Sequence, residues 1–376
     1  MNRMPRLLVC VACLLPVAAC GPARPRPNVV PPAGVAEDDS PPDPEAEGRI
    51  AETVLKRGGT VQRDEAAPGK PIVEIDFQEF KLTSDEMKEA GGSFAAADAR
   101  LTEATDSCLK ELAGLKRLRT LRLGSQWTEK VRVTSPGGQQ FTGFTIRGGI
   151  RMTDEGLKEM AGLKNLQVLE LHMESPTWKP GKPNTVTAEG LKGLAELRDL
   201  RELHLSGCGY AENAAFWREL SRLTGLQLLD VPDGSWKGLA VLKQVRNLGI
   251  GGPTVEEIQE LAGMDGLVGL RIAGCSNPSE EGMEELGKLN RLQMLDLSDG
   301  QFAFQDLEYL IGKGGLPGLR RLILDGASVT DAGLERVARL KGLQKVSLHG
   351  LRGDKVTADG VARLRKALPG CEIIYP

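Results

Sequence analysis

Two histidines and one carboxylate carry most of what this sequence offers to chemistry. His172 and Glu170 share the segment LELHM, and His204 sits in LHLSG. Two imidazoles and a carboxylate form a set that transition metals accept, and a metal so held would activate water. No further side chain in the pattern orients them, so they read first as polar surface. A metal-assisted hydrolase built on Glu170, His172 and His204 is the outlying enzyme reading. Covalent catalysis has no candidate, because the chain lacks GxSxG, HExxH and a phosphate loop followed by Lys-Ser or Lys-Thr. Paired acids such as Glu280–Glu281 and Asp38–Asp39 fit helix starts and solvation better than general acid–base work. The expectation is therefore no catalytic residue, no metal and no cofactor.

The cysteines divide by position. Cys10 and Cys13 fall in the apolar N-terminal stretch MNRMPRLLVCVACLLPVAAC, and Cys20 ends it. Arg3 and Arg6 open that stretch, and its apolar run is too short to span a bilayer, which is the pattern of an export signal. Cys208 and Cys275 each follow a strand-like run, in LHLSGC and LRIAGC. They fall three strands apart, about 14 Å, too far for a disulfide. With Cys108 and Cys371 they are expected to be structural, and no CxxC or Cys/His zinc spacing occurs.

Composition narrows the partner. Net charge is −3 with both signs mixed, which gives no electrostatic pull toward nucleic acid. With only 4 Trp, 3 Tyr and 8 Phe, stacking platforms for bases or sugars are disfavoured. The segment GPARPRPNVVPPAGVAEDDSPPDPEAEG is rich in Pro and acids without aromatics. It cannot bury a core and reads as an extended tether with a reach of about 80 Å.

The elements that would position Glu170, His172 and His204 come from a repeat. The phrase LxxLxL recurs, for example as Leu118-Leu121-Leu123, Leu166-Leu169-Leu171, Leu200-Leu203-Leu205 and Leu292-Leu295-Leu297. Ala96-Ala99-Leu101 and Phe141-Phe144-Ile146 fit two wide gaps as degenerate copies, and Leu368-Cys371-Ile373 closes the series. Central anchors then fall at 75, 99, 121, 144, 169, 203, 229, 248, 270, 295, 322, 346 and 371, a mean step of about 25 residues. For residues 127–146 the rival reading is a β-hairpin turning at SPGG. The step from 229 to 248 is short and leaves room for a tight turn rather than a full helix.

A second phrase lies between the strands: TDSCL at Thr105, TDEGL at Thr153, TAEGL at Thr187, SEEGM at Ser279, TDAGL at Thr330 and TADGV at Thr357. A hydroxyl followed by acids caps a helix and suits the positive end of its dipole. Each unit is strand, turn, helix and loop. One unit cannot bury its own apolar side, so the units must stack.

On these residues the chain resembles bacterial leucine-rich-repeat proteins with TDAGL-type units, near the ribonuclease-inhibitor and cysteine-containing classes. The resemblance runs over roughly Arg49–Pro376, and the segment starting IAETVLKRGG resembles their N-terminal cap. VAAC, Val17–Cys20, resembles the bacterial lipobox, which implies acylation of Cys20 and an exported, lipid-anchored protein of the cell envelope. The family implies binding or scaffolding rather than catalysis.

The expected organisation is a signal peptide over 1–20, a tether over 21–47, a cap and first strand over 48–82, and an α/β solenoid over 83–376. A curved parallel sheet would line its concave face, with short helices on the convex face. The concave strip should run Asp76, Arg100, Arg122, Thr145, Glu170, His204, Asp230, Gly249, Arg271, Asp296, Ile323, Ser347 and Glu372. On this face Arg100, Arg122, Glu170, His172, His204, Asp230, Arg271 and Asp296 are candidates for contact with a protein or peptide partner. Trp178, in the loop ESPTWKPGKPNTV, is the candidate rim anchor. The alternative to partner binding is an envelope scaffold that associates with itself or with wall material.

Overall fold

The computed structural model describes residues 43–77, 105–124, 127–134, 140–147, 150, 152–173, 187–207, 214–232, 236–273, 279–300, 304–312, 314–351 and 356–375. Cys20 with the signal and tether, Arg100, the Ala96-Ala99-Leu101 copy, Cys208, Cys275 and Trp178 lie outside them.

Leucine spacing builds one long sheet. Its strands are β1 (Thr60–Arg63), β2 (Ile72–Phe77), β3 (Thr120–Leu123), β6 (Val168–His172), β7 (Glu202–Ser206), β8 (Leu228–Val231), β9 (Asn247–Ile250) and β10 (Gly269–Ile272). It continues through β11 (Met294–Asp296), β12 (Arg321–Ile323), β13 (Lys345–Ser347) and β14 (Glu372–Ile374). The order is β1-β2-β3-β6 and then sequential to β14, twelve strands in all. Every pair from β2 onward is parallel, and central anchors face one another as Leu121↔Leu169↔Leu203↔Leu229↔Leu248↔Leu270↔Leu295↔Leu322↔Val346. Those anchors are buried, and with the apolar residues of the connecting helices they form one continuous core. This is a leucine-rich-repeat solenoid. Every buried apolar residue described lies between Ile50 and Leu368, so residues 43–376 retain all of them.

Helices cover one face of the sheet. They include Pro44–Lys56, Asp154–Glu159, Ala188–Leu194, Val255–Leu261, Glu280–Gly287, Asp331–Val337 and Ala358–Ala367. Thr153, Thr187, Ser279, Thr330 and Thr357 cap five of them through their hydroxyls, as the sequence predicts, and Thr254, not singled out there, caps Val255–Leu261. Among the described residues, the short step before β9 holds a 3-10 turn, Leu239–Val241.

The acid of the TDxGL phrase has a task the sequence did not reveal. Asp106 accepts from the backbone N–H and hydroxyl of Thr153 at 3.1 and 2.7 Å, and Asp331 does the same for Thr357 at 2.8 and 2.7 Å. Each acid therefore ties one helix start to the next. The glycine three residues after the partner threonine makes room. A Cβ at Gly156 would stand 1.9 Å from Asp106 Oδ1, and one at Gly360 2.0 Å from Asp331 Oδ1.

Three expectations are corrected. Residues 127–146 are not a degenerate repeat. β4 (Trp127–Thr134) and β5 (Gln140–Arg147) pair antiparallel from Trp127↔Arg147 to Thr134↔Gln140, as a separate two-stranded sheet. Eight-residue runs rich in β-branched and aromatic residues pair with each other over their whole length, in one ladder of eight residue pairs where the solenoid ladders have three to five. Thr145 accordingly leaves the concave strip. β2 also pairs directly with β3, Ile75 facing Leu121, so the main sheet has no place for an anchor at 99. At the far end Val346 faces Ile373 rather than Cys371, which moves Glu372 beside Lys345.

The cap also differs in detail. Its helix starts at Pro44, inside the expected tether, with Asp43 accepting from the N–H groups of Glu45 and Ala46. Ile50 and Val54 are buried, and Leu55 is 62% exposed. Buried Glu47 accepts from Arg63 and from the Ile72 N–H, which joins the helix to β1 and β2.

Candidate functional site

Alternation along each strand sends one side chain into the core and the next to the open face. Constant register then aligns the open-face residues of successive strands. Asp76, Arg122, Glu170, His204, Asp230, Gly249, Arg271 and Asp296 stand in one line across β2 to β11, about 4.8 Å apart per strand. The signs alternate along it, and the line pairs with itself.

Arg122 is the first hub. It bonds Glu74 on β2 and, through Nε at 3.0 Å, Glu170 on β6. Glu170 is 5% exposed, so it is held inside the ladder rather than offered to a partner. Burial raises the pKa of Asp76; Arg122 works against this, and the charges of Glu170 and Glu74 add to it. Glu74 was not singled out from the sequence, although the alternation of IVEID puts it on the same face as Asp76.

Asp230 is the second hub. His204 Nδ1 and Arg271 Nη1 both stand 3.5 Å from its Oδ2, and Arg271 Nε reaches toward Asp296 at 3.8 Å. Arg271 crosses two strands to do so because Gly249 lies between. A Cβ there would stand 2.2 Å from Asp230 Oδ1. Burial opposes the imidazolium of His204, but Asp230 and Glu202, with the added charge of Glu170, outweigh it and hold the pKa up at about 9. Burial likewise opposes ionisation of Asp230, yet His204 and Arg271 keep its carboxyl below the ordinary value.

His172 does not join His204. Its Nδ1 lies 2.8 Å from Ser206 Oγ, and its Nε2 stays 3.9 Å from Glu170. The trio of the hydrolase reading does not converge: Glu170 is bonded by Arg122, His172 meets Ser206, and His204 pairs with Asp230. Among the described residues no group of three His, Cys, Asp or Glu is placed to hold a metal. Cys108 is buried and its thiol is pushed up to about 12, chiefly by burial, which removes it as a nucleophile.

The residues left for contact surround the ladder. Arg271 is the most open member, with 43% of its side chain accessible. Val168, Leu228, Met294 and Ile323 stand half-buried on the same face. The arrangement is a row of charges fixed by their neighbours and flanked by apolar side chains.

No protein-family model matches the chain, and no curated protein matches it. Among solved structures an internalin (inlF) from Listeria monocytogenes str. 4b F2365 is similar at 15% identity, over 88% of this chain and 94% of that one, with a TM-score of 0.39. A likeness of that degree says nothing about what either protein binds.

Proposed function

We propose that the chain is a non-catalytic binding protein, held at the cell envelope by acylation of Cys20, that takes a protein or peptide partner on the open face of its sheet. The observation that carries this reading is the self-paired ladder Glu74–Arg122–Glu170 and His204–Asp230–Arg271–Asp296. Charges already fixed by neighbours cost little side-chain entropy on binding, and they present a set pattern of sign to a complementary surface. Half-buried apolar side chains beside them supply what a charged strip alone lacks. Trp178 belongs to the proposed contact set on sequence grounds, and no cofactor is assigned.

The test has two arms. The full chain carrying Cys20→Ala should wash off membranes at high salt, where the unaltered chain stays; retention after that wash would end the anchoring claim. Residues 43–376, used as bait against envelope extract, should retain a protein that the Arg271→Glu, Met294→Ala bait loses at equal thermal stability. Identical captures by both baits would end the open-face claim and favour self-association, which sedimentation of the bait alone would show.

A further inference from the structure

The net charge of −3 conceals a segregation that only the stacked fold produces. Acids crowd the helix starts: Asp154 and Glu155, Glu256 and Glu257, Glu280 and Glu281. The opposite edge, where the strands begin, is basic. The residues just before the strands form a hydrogen-bonded row, each N–H donating to the carbonyl of its counterpart one unit earlier: Gln167 to Arg119, Arg201 to Gln167, Gln227 to Arg201, Arg246 to Gln227. The row goes on through Val268, Gln293, Arg320 and Gln344. No carboxylate stands in it from Arg119 to Gln344. Arg119, Arg201, Arg246 and Arg320 recur every two or three strands, about 10–14 Å apart.

A second row lies three residues earlier in each unit. It holds Lys116, Lys164, Arg198, Lys243 and Lys341, with Asp265 as its acid. Glu196 and Asp199 also lie nearby; Lys164 pairs with Glu196 and Arg291 with Asp265, both on exposed surface. Helix dipoles explain basic residues in the last helical turns, such as Lys192. They do not reach Arg201, seven residues past Leu194, because the dipole's influence fades within a turn. Arg201 is half-buried and donates to the Gly225 carbonyl, which leaves Arg119, Arg246 and Arg320 as the exposed cations of this row.

We infer that this edge is a docking surface for anionic lipid headgroups. Register does not shift from β3 to β13, so the strand starts are level and the two rows form one edge rather than a groove. A flat array of anions can meet every unit of such an edge at once. No aromatic stands in either row for bases to stack on, and exposed Val241 and Pro317 lie beside the cations, as suits an interface with lipid. Docked this way, the acidic edge faces away from the headgroups, which spares it their repulsion. The inference is independent of acylation at Cys20.

Residues 43–376, which lack Cys20, would be sedimented with vesicles of phosphatidylcholine containing about one-third phosphatidylglycerol, and with phosphatidylcholine alone. Binding is expected only to the anionic vesicles and should fall steeply with added salt. Arg198→Glu, Arg246→Glu and Arg320→Glu together should weaken it on the order of a hundredfold, and Arg246→Glu alone several-fold. The reversals Lys110→Glu, Lys158→Glu and Lys192→Glu, on the helices, change net charge equally and should leave most binding intact. All variants are compared at matched melting temperature, and the single variant decides if the triple one fails to fold. Equal loss from both triples, no binding by the unaltered chain, tighter capture of duplex nucleic acid at the same salt, or sedimentation without vesicles would each overturn the inference.

Discussion

Asp154 accepts both the backbone N–H and the hydroxyl of Thr187, each at 2.7 Å, across the step between two consecutive units. The contact reaches its partner past Gly190, where a Cβ would stand 2.4 Å from Asp154 Oδ1. One glycine and one aspartate thereby couple neighbouring helices that share few other polar contacts.

Gly190→Ala should therefore destabilise the solenoid although alanine favours helices in general. The loss of hydrogen bonds to a charged acceptor sets the scale at about 1–3 kcal/mol. Gly48→Ala is the control: it lies in the cap helix with nothing within 4 Å of the added methyl. It should stabilise by about 0.5–1 kcal/mol. Chemical denaturation of both variants checks the pair, and equal effects would show that the Asp154–Thr187 contact does not hold the units together.

Arg122 serves three carboxylates, so its removal leaves Glu74, Asp76 and Glu170 facing one another half-buried. Arg122→Leu should cost roughly 3–5 kcal/mol. Arg122→Leu with Glu170→Leu should recover part of that loss, because the most buried acid goes too. A double variant less stable than the single one would show that Glu170 has a role apart from Arg122.

His204 makes stability depend on pH. Its folded-state pKa, about 9, lies above the ordinary value of 6.5, so its contribution is complete below about pH 6.5 and is lost as pH rises through about 9. The full difference amounts to at most about 3 kcal/mol. Asp230, with a lowered pKa, acts at the other end and loses its contribution only in acid. Urea midpoints should fall between pH 6 and pH 9.5 for the unaltered chain, and His204→Gln should flatten that fall. Parallel pH profiles would remove His204 from the account.

The hairpin of β4 and β5 forms its own sheet, while β3 pairs directly with β6 through Leu121 and Leu169. Replacing residues 126–148 by a short Gly-Ser link should therefore leave the melting temperature within a few degrees. A change in stability of about 1 kcal/mol shifts such a transition by only about 2–4 °C. Collapse of the transition would mean that the hairpin is part of the solenoid core.

Much of the architecture could be read from the sequence because its determinants are local and repeated. LxxLxL dictates strands with buried anchors, and Thr153, Ser279 or Thr330 before an acid marks a helix start whatever surrounds it. Repetition also removed ambiguity: Leu169, Leu203 and Leu295 support one another's register. Where repetition weakened, so did the reading. Phe141-Phe144-Ile146 satisfied the leucine spacing, yet the same residues pair locally as β5, and spacing alone does not choose between the two. Cys371 and Ile373 both fit the final anchor, and only pairing with Val346 selected Ile373.

The candidate site shows the complementary limit. The sequence placed Arg122, Glu170, His204, Asp230, Arg271 and Asp296 on one face, because alternation along a strand determines that much. It did not determine that Arg122 and Glu170 consume each other's charge, that Gly249 lets Arg271 reach Asp230, or that Asp154 waits for Thr187. Those partners are about twenty to fifty residues apart along the chain. They meet only when strands stack about 4.8 Å apart, where charge, burial and the missing Cβ of a glycine act together. Pattern assigns each side chain its face; distance in the folded sheet decides what it touches.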